Sequence, residues 1–211
     1  MLAELEAHVI VVSRTAANVD ETVAILQAAG AFCEGHVADV SSLEEVEALA
    51  ARVAERHDSV KAVVNNAGTN FVSKLENLEP ADWHRIIGID LNSIYYMCRA
   101  FLPLLRKANR PSIVNVASTF GVIGHPEMPV YCAAKGGVLS MTRQLAIDYG
   151  PENIRVNGLC PGATLSPRVK GYMDSGMVDA SIVEELALLG RLAECEEIAN
   201  AIAFLASDAA S

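Results

Sequence analysis

The chain has 211 residues, 52% of them hydrophobic, and its 16 Lys and Arg against 26 Asp and Glu leave a formal charge of -10. That length fits one domain with a sizeable core, and that hydrophobic content excludes a disordered chain. The acidic balance argues against a nucleic-acid partner and against an anionic membrane surface, since both reward Lys and Arg, and it leaves a small-molecule ligand open.

In chain order, short β-branched runs alternate with longer helical patterns. "HVIVVS" (8–13) reads as a buried strand, entered almost at once. "NVDETVAILQAAG" (18–30) reads as a helix, with Asn18 and Glu21 at capping-box spacing, Val19, Val23 and Leu26 as its apolar stripe, and Gly30 as its stop. "AFCEGHVADV" (31–40) holds a weaker strand, and "SSLEEVEALAARVAERH" (41–57) a helix opened by Ser41 and Glu44. "VKAVVNNAG" (60–68) is a strand running into a glycine turn. One long helix is expected over about 80–108, with Pro80 suited to its first turn.

"SIVNVAS" (112–118) is the next strand, and a loop with Gly121, Gly124 and His125 leads to a helix at about 130–149. "NIRVNGLCPG" (153–162) is a strand ending in a Pro-Gly turn. Residues 163–180, rich in Gly, Ser and Met, read as a mobile loop. The last helices are "SIVEELALLG" (181–190) and "EEIANAIAFLAS" (196–207).

This alternation predicts a Rossmann-like, doubly wound parallel sheet in a three-layer α/β sandwich, one domain over residues 1–211. Ligands of such sheets bind at the carboxyl ends of the strands. The segments there are Ser13–Arg14, Asp39–Val40, Asn65–Gly68, Ala117–Ser118 and Pro161–Thr164.

The five cysteines, Cys33, Cys98, Cys132, Cys160 and Cys195, are odd in number and form no CxxC pair. They read as core thiols of a cytoplasmic, reducing compartment. No apolar run approaches ~18 residues, and Glu4, Glu6 and His8 break any signal-peptide core. The five histidines, His8, His36, His57, His84 and His125, are scattered without ligand spacing, so no metal is expected; His125 lies in the loop on the substrate side.

Chemistry concentrates in Ser118, Tyr131 and Lys135. Tyr131 and Lys135 are four residues apart, so on a helix they share a face. A lysine ammonium near a tyrosine hydroxyl favours the phenolate, lowering a pKa that is ~10 in isolation. Tyr131 is then a candidate acid/base near neutral pH, and Ser118 a hydrogen-bond donor to a carbonyl or alcohol oxygen.

"NNAG" (65–68), "LN" (91–92), the Ser118-x12-Tyr131-xxx-Lys135 spacing and "NIRVNGLCPG" (153–162) occur in that order, and "GRLAECEEIANAIAFLASDAAS" closes the chain. With these motifs the chain resembles the short-chain dehydrogenase/reductase family over essentially its whole length. The resemblance implies reversible hydride transfer between a nicotinamide and a carbonyl carbon. It makes Tyr131 the catalytic acid/base and Lys135 the residue that holds the nicotinamide ribose and lowers the tyrosine pKa. It makes Ser118 the residue that orients the substrate oxygen, and Asn92 the asparagine that kinks its helix and supports a water relay. On the cofactor side it places Asp39 and Val40 beside the adenine, Asn66, Ala67 and Gly68 on the turn after a central strand, and Pro161, Gly162 and Thr164 beside the carboxamide. Ser13 and Arg14 stand where NAD-preferring members usually carry an acid; a guanidinium there suits a 2′-phosphate, which favours NADP(H) over NAD(H). The substrate is a small carbonyl or alcohol, of the 3-oxoacyl-thioester or sugar dehydrogenase kind. Ser166 stands where a threonine is frequent.

The resemblance also implies a first strand with a glycine-rich phosphate turn, and a last strand. The sequence is expected to lack both, with Leu2–Glu6 matching only the end of the phosphate-binding helix. A missing central strand would leave a slot roughly 9.6 Å wide, either closed by its neighbours or lined by open edges. A chain begun at an internal Met, a natural truncated product and a fragment completed from elsewhere each account for this. Two functions follow: an NADP(H)-dependent oxidoreductase, or a catalytically impaired module that dimerises through helices 80–108 and 130–149. The resemblance implies a homodimer or homotetramer through the same helices.

Overall fold

The computed structural model describes residues 7–176 and 187–211. Strands β1 (Val9–Ser13), β2 (Cys33–Val37), β3 (Ala62–Asn65), β4 (Ser112–Val116) and β5 (Arg155–Leu159) alternate with helices. These are α1 (Ala16–Ala28), α2 (Leu43–Ala54), α3 (Pro80–Ile87), α4 (Ser93–Leu105), α5 (Pro129–Tyr149), α6 (Pro167–Asp174) and α7 (Cys195–Ala206). Every strand pairing is parallel: Val9 faces Cys33, Ala62 faces Ser112, and Ser112 faces Arg155. The fold is the expected Rossmann-like α/β arrangement.

The hydrogen-bonded orders are β1-β2 and β3-β4-β5, and no ladder joins β1 to β3 among the described residues. Each of those two strands therefore keeps an edge without a ladder partner, the open-edge alternative. Packing still unites the halves: Ile10 and Val12 of β1 lie against the core that holds Val63, Ile94, Leu105, Ile113 and Val138. All five residues of β4 are buried, because α4 covers it together with α7. Arg155 and Ser112 hold the end of α7. Arg155 donates to the Leu205 and Ser207 carbonyls at 2.7 and 2.8 Å, and Ser112 to Ala206 at 3.1 Å, satisfying acceptors a helix end leaves open.

Several boundaries differ from the sequence reading. Helix α1 begins at Ala16 with Thr15 as N-cap, so Asn18 lies inside it and accepts from the Thr22 hydroxyl through its carbonyl. Ser42, not Ser41, caps α2 by accepting from the Glu45 amide. The expected long helix is divided by a π-helical turn over Gly88–Asn92. The segment read as a loop after residue 163 contains α6, which Pro167 begins and the Ser166 hydroxyl caps by accepting from the Val169 amide. Of the helix expected at 181–190, residues 181–186 lie outside the described residues, as do Leu2–Glu6; residues 187–190 form a turn closed by Gly190 at φ +63°.

Candidate active site

Parallel pairing puts the carboxyl ends of the strands of each sheet on one side, and there the expected residues gather. Ser118 lies two residues beyond β4 and caps a short turn, its hydroxyl accepting from the Phe120 amide at 3.2 Å. The next amide, Thr119, donates to the Pro161 carbonyl at 3.1 Å, which ties the end of β4 to the end of β5. Tyr131 and Lys135 project from α5. Lys135 is only 4% exposed; its Nζ donates to the Val116 carbonyl at 3.1 Å and lies 5.8 Å from the centre of the Tyr131 ring.

The π-helical turn brings a residue the motifs did not single out. Asp90 is fully buried; its Oδ1 accepts from the Thr69 amide at 2.6 Å, and its Oδ2 has no hydrogen-bond partner among the described residues. A Cβ added to Gly68 would stand 3.4 Å from both Asp90 Oδ1 and Lys135 Nζ, so the turn after β3 lies directly against this buried pair. Burial raises the Asp90 pKa, opposed first by the Lys135 charge. Burial lowers the Lys135 pKa, opposed by the Asp90 charge.

Tyr131 corrects one expectation. Its pKa is raised, first by burial, while contact with the Ser118 hydroxyl pulls it down and the Asp90 charge pushes it up. The Lys135 ammonium is aimed at the Val116 carbonyl and is not among the groups that lower the Tyr131 pKa.

The residues expected on the cofactor side occupy the same rim. Arg14, just past β1, lines an open cleft of about 390 Å³ with Asp39, Ser41, Thr69, Arg85 and Gly88. The Asp39 carboxylate accepts from the Ser41 amide at 2.8 Å and from its hydroxyl at 2.6 Å; these bonds, with a smaller effect of Arg14, lower its pKa. Ser13 accepts from the Thr15 amide, and Val40 follows Asp39 in the same turn. Asn66 and Ala67 are exposed. The Gly68 carbonyl accepts from both terminal nitrogens of Arg168 at 3.3 Å, a second residue missed from sequence, which α6 delivers to the rim. Thr164 donates to the Gly162 carbonyl at 3.2 Å, and Leu165 to that of Ala193 at 2.8 Å. Asn92 closes the π-helical turn. His125 stacks on Phe120, ring centres 4.4 Å apart, beside the Ser118 turn.

Gly121 fixes the spacing between that turn and α5: a Cβ there would stand 2.7 Å from the carbonyl carbon and oxygen of Lys135. Gly121→Ala is therefore expected to lose about 1–3 kcal/mol of stability in urea unfolding through overpacking against backbone. Gly124→Ala, with nothing within 4 Å of the added atom, is expected to stay within about 0.5 kcal/mol of the parent.

The whole chain, residues 1–211, matches the family model described as enoyl-(acyl carrier protein) reductase. It is 37% identical over 215 residues to cis-4-hydroxycyclohexanecarboxylate dehydrogenase of Sinomonas cyclohexanicum, covering 100% of this chain and 84% of the relative. A short-chain dehydrogenase/reductase structure from Burkholderia xenovorans superposes with a TM-score of 0.91 at 32% identity, over 99% of this chain and 81% of that one. A gluconate 5-dehydrogenase from Burkholderia cenocepacia J2315, in complex with NADP and tartrate, superposes with a TM-score of 0.91 at 25% identity, over 99% and 82%. With the family model spanning the chain and these likenesses in sequence and fold, the protein belongs to the short-chain dehydrogenase/reductase family and is by family an oxidoreductase.

Proposed function

We propose that this protein is one NADP(H)-binding domain that interconverts a carbonyl and a secondary alcohol, with Tyr131 as the proton donor. The observation that carries the reading is the convergence of Ser118, Tyr131 and a buried Lys135 at the carboxyl end of β4. The donor set fits a nicotinamide nucleotide. The Lys135 ammonium has three protons and one acceptor, the Val116 carbonyl, which leaves two for ribose hydroxyls. Asn66–Gly68 would hold the nucleotide from the β3 side, Pro161, Gly162 and Thr164 from the β5 side, and Asp39 and Val40 would flank the adenine. When bound, the nicotinamide supplies or accepts a hydride at its C4. Ser118 donates a hydrogen bond to the substrate oxygen, and Tyr131 delivers its proton there as the carbonyl carbon gains the hydride. In the opposite direction the Tyr131 phenolate removes the alcohol proton. Asn92, at the π-helical turn, would position water toward Lys135.

Arg14 supports NADP(H): it is exposed beside Asp39, and Arg85 lines the same cleft. The substrate side admits a 3-oxoacyl thioester, a sugar or an alcohol. Arg168 favours one with an anionic group, because its guanidinium is exposed, has the Gly68 carbonyl as acceptor, and is close enough to Tyr131 to act on its pKa. The relatives that act on hydroxycyclohexanecarboxylate and gluconate agree. All five cysteines are free, with the buried Cys98 thiol pushed up to about 12, which suits a reducing cytoplasm. Among the described residues no helix is long and apolar enough to cross a membrane. Exposed Tyr95 on α4 and Ile147 on α5 suit a homodimer or homotetramer. The edges of β1 and β3, without a ladder partner among the described residues, favour a second reading, a catalytically impaired module that dimerises through those helices; a parent chain without hydride transfer would support it.

Tyr131→Phe is expected to lower turnover at least about 100-fold in a spectrophotometric NADPH assay, and an unchanged rate contradicts its role. Because the Tyr131 pKa is raised, the phenol stays protonated, so reduction should be flat between about pH 6 and 8. Oxidation, which needs the phenolate, should rise toward tenfold per pH unit there.

Arg14→Ala should raise the KM for NADPH about tenfold or more and change that for NADH less than about twofold. Arg168→Ala should raise the KM for an oxo acid about tenfold and leave a neutral ketone within about twofold. Equal effects on the two members of either pair contradict these assignments.

A further inference from the structure

We propose that His8, Glu34 and His57 form a binding site for a divalent transition-metal ion of the zinc class, at the opposite end of the strands from Tyr131. In sequence these histidines are far apart. The fold unites them because His8 immediately precedes β1, Glu34 is the second residue of β2, and His57 follows the end of α2. The β1-β2 register pairs Ile10 with Glu34, which sets His8 and Glu34 at the same sheet end.

The ligand atoms of the three side chains all lie within 4.8 Å of one another. The His8 and His57 rings meet edge to face with centres 4.9 Å apart. Glu34 Oε1 is 3.0 Å from the Nε2 atoms of both His57 and His36. An ion about 2 Å from each donor needs donors separated by a few ångströms, so small side-chain rotations complete a three-ligand site. Two imidazoles and one carboxylate, with no thiolate, select zinc and its first-row neighbours over calcium or magnesium, which favour all-oxygen ligands.

Burial separates this group from an ordinary surface cluster. The Glu34 side chain is 10% exposed, and its carboxylate is shared among His36, His57 and Arg56. His8 is exposed and gives the ion a path from solvent. His36 shares the face of β2 with Glu34 two residues away and can hold the carboxylate in place from behind. Arg56 is the competitor: its guanidinium stands 3.0 Å from Glu34 Oε2, but its side chain is 64% exposed and can turn to solvent when a dication arrives.

That competition gives the test its sign. The metal-stripped 211-residue chain is titrated with zinc chloride in a calorimeter, with folding of each variant checked by circular dichroism. One saturable site per chain is expected, weakened at least about tenfold by His8→Ala and by His57→Ala. Arg56→Ala should tighten it several-fold, and Cys195→Ser, which removes an exposed thiol, should leave it unchanged. His8 lies outside the strands, so its variant remains informative if His57→Ala unfolds. No saturable site, equal affinity in the His8 variant, loss of binding with Cys195→Ser, or weaker binding in Arg56→Ala overturns the proposal and leaves a hydrogen-bonded His–Glu cluster.

Discussion

The arrangement of the candidate site depends on one buried cation. Lys135 is nearly inaccessible, and an ammonium at that depth is tolerated only with partners. The Val116 carbonyl is one partner and fixes α5 against the end of β4. The charge of the Asp90 carboxylate, brought near by the π-helical turn that divides α3 from α4, acts on the ammonium through space without a direct ion pair. Each charge restrains the shift that burial imposes on the other, so loss of either leaves an uncompensated charge in the core. Gly68 rests against the pair, which sets the turn after β3 in register with α5. Two strand ends, those of β3 and β4, thus meet α5 at one ammonium group.

The same arrangement bears on the proposed role of Tyr131 as a proton donor. Burial and Asp90 oppose ionisation of Tyr131, and Ser118 supplies the main opposing contact. In the proposed reaction this retained proton is the one that reduction of a carbonyl would consume. The sheet is less complete than the site. Its β3-β4-β5 half carries Ser118 and the turns at Gly68 and Pro161, while the β1-β2 half carries Arg14 and Asp39, and packing rather than backbone pairing links the halves. A nucleotide held by residues of both halves would bridge that division.

Much of this is legible in the sequence where local and global signals agree. The β-branched run at Ser112–Val116 and the spacing of Tyr131 and Lys135 translate directly into a buried strand and one helix face, whereas the run at Val9–Ser13, expected to be buried, forms a strand that is only half-buried, because one of its edges has no ladder partner among the described residues. Other features depend on tertiary context. Asp90 is an acid inside an apolar helical stretch, and only the π-helical turn and the opposing lysine make its burial intelligible. Arg168 sits in a segment whose glycines and serines suggest a loop, yet Ser166 and Pro167 start a helix that carries it to Gly68. Asn18 has capping chemistry at capping spacing, but Thr15 takes that place because the chain turns into α1 directly after β1. The direction of the Tyr131 shift also depends on tertiary context: sequence spacing shows that a lysine is near, and not where its ammonium points.

Calorimetric titration of NADPH into the parent chain and into Lys135→Met tests the central claim most directly, since methionine keeps the length of the buried stem and removes the charge. The account predicts saturable binding to the parent, and binding weaker by at least about tenfold, or about 1.4 kcal/mol, in the variant. Equal affinity in the two proteins, or no binding by the parent, would contradict it.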